Sequence, residues 1–472
     1  MTDKVKHFLD QSPAARWAAL ILVSLTMLAA YFFVDMIAPL QSLVQSGLGW
    51  SPANYGFFSG SEYMLNVLGF LILSGIILDK MGVRFTGLTA SAVMVAGGLI
   101  KLYGLTPYFN QGGFGHGFFS SFWADMPPSA KVAALGYAIF GIGVEMTGIT
   151  VSRAIVKWFK GKELALAMGM EMATARMGAS VAFFFSARMA GVTIVDGVPQ
   201  GNILIPVYFG VSLLLMGFLT FLVYTFMDAT LDRQRGAAEV GAEPAEVFRL
   251  SDIWRILSNR GFILISLLCV LFYSGVFPFL KYAVNMMENK LGVSASTGGQ
   301  ISGLLPVGTI LLTPLIGIFL DRRGKGASIM ILGALLLTGA HLTFALAPLT
   351  VPLAVAAIVV LGVAFSLVPA SMWPAVPKIV EERYLGSAYA LIFWIQNIGL
   401  MFFPWLIGVV LERMNPGMAE RMAAGDPTAV FDYTAPMLIF SSLGACAILL
   451  GFLLLREDKR KGYGLELPNK MD

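Results

Sequence analysis

Twelve apolar stretches divide this chain, and each is long enough to cross the hydrocarbon core of a bilayer, which takes about 20 residues of helix. They fall at 17–40, 55–79, 85–105, 131–152, 163–188, 203–227, 261–284, 297–320, 326–347, 351–375, 385–411 and 433–455. Hydrophobic types make up 57% of the 472 residues and charged types 13%, against about 25% charged in a soluble domain. With a mean hydropathy of +0.77, the chain needs lipid as part of its solvent. A disordered chain, a disulfide scaffold and a nucleic-acid binder are excluded on the same grounds. Cys269 and Cys446 sit in apolar runs without metal or bridge spacing and read as packing residues. The first stretch is too long for a signal-peptide core and no cleavage pattern follows it.

Lys and Arg are distributed unevenly about these spans. With the N-terminus inside, 24 of the 32 basic residues fall on cytoplasmic segments, among them Lys4, Lys6, Arg153, Lys157 and Lys470. Both termini are therefore expected in the cytoplasm. The Ala-, Glu- and Arg-rich connection 228–260 divides the spans six and six. The expected organisation is an N-terminal bundle over 1–227, a linker over 228–260, a C-terminal bundle over 261–455 and a tail over 456–472. The outer segment 106–130, with His116, Trp123 and Asp125, reads as a surface cap.

The two halves repeat a loop. Gly75-Ile-Ile-Leu-Asp79-Lys80-Met-Gly82-Val-Arg84 follows the second span, and Gly317-Ile-Phe-Leu-Asp321-Arg322-Arg323-Gly324-Lys325 follows the eighth. Glycines let helix ends approach closely, an Asp suits a helix N-terminus, and the basic residues stay at the interface. Such loops suit a joint that holds one side closed and releases it. The doubled loop resembles the signature of the major facilitator superfamily. That resemblance implies an all-α membrane protein of twelve transmembrane helices in two pseudo-symmetric six-helix bundles, working by alternating access.

Ionisable side chains within spans are expensive, at about 2.5–3.5 kcal/mol each on insertion scales. Lys101 and Lys281 lie near outer helix ends and are expected to snorkel, although a break at Phe277-Pro278-Phe279 offers Lys281 a way inward. His341 reads as packing. Glu62 is placed in an outer vestibule, and Asp35 at a gate or a helix end. Glu145 and Arg176 differ: helix rise puts them about 12 and 20 Å from the inner boundary. Glu171, five residues from Arg176, points elsewhere on the helix, so Glu145 is the better partner. Either the two form a permanent bridge between helices, or they face a wet cavity and receive a zwitterion. Their expected spacing suits a dipeptide, whose carboxylate Arg176 would grip bidentately.

Further residues carry a narrower likeness. Phe140-Gly-Ile-Gly-Val-Glu145, Trp158-Phe-Lys-Gly-Lys-Glu163-Leu and Ala175-Arg176-Met-Gly178 resemble the major facilitator superfamily domain-containing protein one family, the animal lysosomal dipeptide transporters. Tyr31 with Asp35, Tyr273 before Phe277-Pro-Phe279, Trp373-Pro374 and Gln396-Asn397 extend it over nearly all spans. The resemblance implies that Glu145 meets the peptide ammonium and Arg176 the carboxylate, by facilitated diffusion. Tyr63, Asn66, Tyr273, Lys281, Trp373, Gln396 and Asn397 are expected to line the site. Asp35, Glu62 and Glu171 are the candidate proton sites should transport be coupled. Glu171 stands where the family leads one to expect a neutral amide, and Lys281 where it leads one to expect a glycine. Without an N-x-[ST] acceptor or an acidic dileucine near the N-terminus, a bacterial cytoplasmic membrane and a monomer without an accessory subunit are expected. A carrier of small organic anions, with Arg176 as clamp and Glu145 as proton site, is the alternative. No Walker loop, H-E-x-x-H or G-x-S-x-G is present, so neither enzyme nor cofactor chemistry is expected.

Overall fold

The computed structural model describes residues 8–235, 253–426 and 428–468. Lys4, Lys6, Lys470 and much of the central connection lie outside them. The first half contains α1 (Pro13–Asp35), α2 (Gln41–Leu48) and α3 (Pro52–Leu65), which passes through a π-helical turn, Asn66–Phe70, into α4 (Leu71–Leu105). Small helices α5 (Pro107–Asn110) and α6 (His116–Ser120) precede α7 (Pro128–Phe159), α8 (Leu164–Met189) and α9 (Leu204–Arg235). A hairpin of β1 (Thr193–Val195) and β2 (Val198–Gln200) joins α8 to α9, with Thr193 opposite Gln200. The second half contains α10 (Ile253–Leu257), α11 (Arg260–Leu291), α12 (Ala295–Arg323), α13 (Gly326–Leu346), α14 (Val351–Ile379), α15 (Leu385–Met414), α16 (Met418–Ala423) and α17 (Thr434–Lys461).

Ten helical stretches among the described residues are long and apolar enough to cross a membrane. Two further crossings complete the twelve. Pro52–Leu105 is 54 residues of near-continuous helix, about 80 Å at 1.5 Å per residue, more than twice the hydrocarbon thickness. It turns at Gly82, whose φ of 74° belongs to the region that favours glycine. The repeated loop is therefore a sharp corner between two crossings. The other is α8, which hydropathy alone passes over because Glu171, Arg176 and Arg188 lie on it. Helix α9 runs on to Arg235, past the expected boundary at 227, and α11 starts at Arg260.

Helices α1, α3, α4, α7, α8 and α9 pack with one another, and α11 to α15 and α17 do likewise. The halves meet along two seams, α3 against α15 and α8 against α12. Both seams are tight toward the face opposite the termini, called the far face below. Tyr55 there donates to the Lys281 carbonyl (2.8 Å), Ser42 to Glu288 (3.2 Å), the Ala53 N–H to Glu412 (3.1 Å) and Arg188 to Ser296 (3.1 Å). Toward the terminal face the seam-lining helices part. A Cβ added at Gly75 or Gly317 would meet nothing within 4 Å, and Leu68, Ile76, Leu311 and Leu315 are exposed.

Close backbone approach makes the far seam possible. A Cβ at Gly60 of α3 would fall on the Met401 carbonyl of α15, a backbone atom that cannot swing aside. Overpacking of this kind opposes packing by about 1–3 kcal/mol, and here it acts only while the far face is shut. Gly60→Val is expected to part the far face by roughly tenfold or more in population. Spin labels on Gly47→Cys and Arg413→Cys, both at exposed far-face positions, in a Cys446→Ser background would report it. An unchanged distance distribution would sink the assignment.

The terminal face of the first half is fastened by charge. Buried Asp228 accepts from Lys157 (2.8 Å), Trp158 (3.2 Å) and Tyr224 (3.2 Å). Asp10 pairs with Lys162 (2.8 Å) and Arg235 (2.9 Å). Burial acts against the Asp10 charge, but the hydrogen bonds from Lys162 and Arg235 outweigh it and hold the carboxyl below its ordinary range. The segment 106–130 folds as α5 and α6 under a cluster of Phe109, Phe118, Phe119 and Phe122. Lys131 anchors it by donating to the Phe119 and Phe122 carbonyls.

Candidate functional site

Arg176 sits at the seam between the halves, on α8. Gly178, two residues on, lies so close to α1 that a Cβ there would overlap the Leu28 carbonyl. That approach sets the guanidinium over Tyr31 of α1 (5.7 Å to the ring centroid). From the other half come Phe277 of α11 (5.6 Å) and Phe365 of α14 (5.1 Å). Three ring faces hold the cation by their quadrupoles. Among the described residues no carboxylate lies within 4 Å of it. A planar cation caged this way keeps its N–H fork for an anion from outside the chain.

Glu145 enters from α7. Gly141, one turn before it, packs against the Glu62 backbone of α3 without space for a side chain, which fixes α7 against α3. The Glu145 carboxylate faces Asn397 of α15, from the other half. Both Glu145 and Arg176 are half-buried, and the fixed Glu145–Arg176 bridge is not formed. Glu171 is buried on α8 and, among the described residues, forms no ion pair with Arg176.

An aromatic wall completes the seam. Tyr273 accepts from the Trp373 indole (3.1 Å), and its ring lies against Phe277 and Phe365 (5.7 Å each). Trp373 stacks on Phe393 (4.8 Å), and Tyr389 donates to the Trp373 carbonyl (3.3 Å). Gln396 takes the Cys269 thiol at 3.5 Å. The Asn397 amide donates to Phe393 (2.9 Å), which leaves its Oδ1 buried without a partner among the described residues. Asn66 opens the π-helical turn and ties it to the Gly141 carbonyl (3.1 Å). Such a turn frees backbone carbonyls; that of Val67 is taken by Trp394 of α15 (2.8 Å), across the halves. Tyr63 is buried on the same stretch of α3.

Lys281 is not beside Arg176. Helix α11 runs unbroken through Pro278, and Lys281 reaches across the halves to Asp35 (2.9 Å), the Val34 carbonyl (3.0 Å) and Glu62 (3.8 Å). All three charged residues are 5% exposed or less. Nor does Lys101 snorkel. It is fully buried, with its Nζ 4.2 to 5.0 Å from the ring centroids of Tyr137, Phe33 and Phe58. The outer charges thus form a closed electrostatic knot at the far face. A pocket of about 220 Å³ also opens there, lined by Gln45, Trp50, Met422 and Phe431. It contains neither Glu145 nor Arg176 and is not the site.

The sequence model of the Major Facilitator Superfamily matches residues 23–404 and, again, 279–466. The chain belongs to the major facilitator superfamily. The lysosomal dipeptide transporter MFSD1 of Bos taurus is 26% identical over 408 residues, 84% of this chain and 80% of that protein. The Homo sapiens counterpart is 24% identical over 409 residues, with the same two shares. Among solved structures, the nucleoside transporter NupG aligns with a TM-score of 0.66 at 16% identity, covering 93% of this chain and 99% of its own. A D-xylose-proton symporter aligns at 0.64 and 16%, covering 92% and 97%. Such identities show the fold alone. The chain is a multi-pass membrane transporter of this superfamily and not an enzyme.

The superfamily loop is placed at the terminal face in both halves, and the contacts described here stay within each half. Asp79 pairs with Arg153 of α7 (2.5 Å), rather than with a helix N-terminus. Arg84 reaches Asp232 (3.3 Å) and Asp228 (3.8 Å). Lys325 pairs with Glu466 (3.8 Å), and Gly324 lies against the 466–467 backbone. Lys80 and Arg322 flank these contacts; Asp321 has a partner too. Two parts of the site had no sequence signal. Phe365 is one apolar residue within an apolar span, and Tyr137 looks the same; only the fold sets them against charges.

Proposed function

We propose that this transporter carries short zwitterionic peptides, dipeptides foremost, by rocking its two halves about the seams. The observation that carries the reading is Arg176: a guanidinium held by rings from both halves, with its anion-binding edge unclaimed by any described carboxylate. It receives the peptide carboxylate, and Glu145, with Asn397 beside it, receives the ammonium. Tyr63, Asn66, Tyr273, Trp373 and Gln396 shape the space between. The dipeptide transport named for the MFSD1 relatives supports the same choice. The bodies that move are 1–227 and 261–455, and the paired loops with Asp79 and Asp321 fasten the terminal face in the opposite state. The distribution of Lys and Arg supports a cytoplasmic terminal face in a cell membrane.

The test is uptake into proteoliposomes of a broad dipeptide panel beside free amino acids, longer peptides and mono- and dicarboxylates. Dipeptides are expected to enter at least about tenfold faster than the rest, with little side-chain preference, because termini supply most of the affinity. Uptake of acids without dipeptides would replace this reading with that of an anion carrier, for which an Arg176 that has no carboxylate partner among the described residues is equally suited.

A further inference from the structure

The far-face knot contains a count of protons. The Tyr137 hydroxyl lies 2.7 Å from the Val34 carbonyl and 2.7 Å from Glu62 Oε2. A phenol has one proton, and a carbonyl only accepts. With Glu62 ionised, one of these two short oxygen contacts has no proton in it. With a proton on Glu62 Oε2 both are satisfied: Glu62 donates to Tyr137, and Tyr137 donates to Val34. Lys281 does not supply the missing proton to Glu62. It donates to Asp35 (2.9 Å) and Val34 (3.0 Å), with Tyr137 at 3.4 Å, and stands 3.8 Å from Glu62.

We infer that Glu62 takes up one proton as the far face closes, which makes the far gate a proton-binding site. Closure brings Lys281 of the second half into the Asp35 pair and shuts Glu62 away from water, 4% exposed. The proton comes from far-side water onto the Glu62 carboxylate and returns there when the gate opens. Charge then balances in the closed gate: Asp35 and Lys281 neutralise each other and Glu62 is neutral. Buried ionisable groups of this kind are the usual material of proton sites in membranes.

Every element around Glu62 brings a group. Asp35 comes from α1, Tyr55 and Tyr63 from α3 itself, Tyr137 and Glu145 from α7, and Lys281 from α11. Helix α4 brings Lys101, whose Nζ finds ring faces and no hydrogen-bond acceptor among the described residues. Helix α15 brings Glu412 at the far end, occupied with the Ala53 N–H.

The sign follows from linkage. The closed state binds the proton more tightly than the open one, so closure is favoured as pH falls. The closed-to-open ratio should change by up to about tenfold per pH unit between the open-state and closed-state pKa values of Glu62, and level off on either side. The inference rests on the alternating-access reading but not on the substrate. Its test is the distance between the Gly47→Cys and Arg413→Cys labels, in the Cys446→Ser background, in lipid nanodiscs without substrate.

Between about pH 5 and pH 8 the closed population should grow with acid. Glu62→Gln should be closed and flat with pH, while Asp35→Asn should keep a slope. A flat wild-type response, or a slope retained in Glu62→Gln, would overturn the assignment. Should Glu62→Gln not fold, Tyr137→Phe removes the acceptor of the Glu62 proton and should move the midpoint to lower pH; an unmoved midpoint counts against Glu62. Failure of dipeptide uptake leaves this measurement untouched, and a flat pH response leaves the dipeptide reading untouched.

Discussion

Arg176→Ala is expected to abolish dipeptide uptake, with a fall of at least about a hundredfold. Two charge-assisted N–H bonds to a carboxylate contribute roughly 1.5–3 kcal/mol each, and a residual rate below a hundredth follows from their loss. Arg176→Lys should recover part of the rate, since it restores the charge without the planar fork. A dipeptide with an amidated C-terminus should be a poor substrate for the wild-type protein and no worse for Arg176→Ala, because the missing partner is the same in both. The rings of Tyr31, Phe277 and Phe365 would close on one another without the cation, so the variant must be shown to be folded by its melting temperature. Wild-type uptake by a folded Arg176→Ala would remove the site, whatever the substrate.

The second large effect belongs to Lys281→Met. It leaves Asp35 buried without its cation, and breaking a buried pair in this way is destabilising by about 3–5 kcal/mol. Because Lys281 and Asp35 are on different halves, the penalty applies to the shut far face and is relieved by opening it. The population should shift toward far-face-open by two to three orders of magnitude, roughly. Ser59 lies beneath the closure, 1% exposed. In a Cys446→Ser background, Ser59→Cys should resist a membrane-impermeant maleimide from the far side and become reactive once Lys281→Met is added. Adding Asp35→Asn as well should restore much of the protection, since the uncompensated charge is gone. Equal labelling with and without Lys281 would show that the pair does not fasten the gate.

Much of the architecture was readable in the chain. Spans of bilayer length, the paired loops at Gly75–Arg84 and Gly317–Lys325, and the half-way connection are consequences of one-dimensional pattern. Mid-span Glu145 and Arg176 were equally legible, since a charge within an apolar run stands out by contrast. Direction around the helix and the identity of partners were not. Lys101 was expected to reach the interface, and it is instead enclosed by Phe33, Phe58 and Tyr137. Nothing in its neighbours along the chain distinguishes a lysine near an outer helix end from one turned into the bundle.

Lys281 makes the same point in reverse. A break at Pro278 was the expected reason for it to face inward, whereas α11 continues through that proline. What aims Lys281 is Asp35 on the opposite half, 246 residues away. By its own pattern the sequence determined that this is a twelve-span carrier with opposite charges inside its spans, because the cost of burying polar atoms in lipid applies residue by residue. The tertiary structure alone decided which of those charges stays available at the seam, held by Tyr31, Phe277 and Phe365, and which are consumed in shutting the far face. That decision depends on contacts between helices far apart in the chain, and no local pattern encodes them.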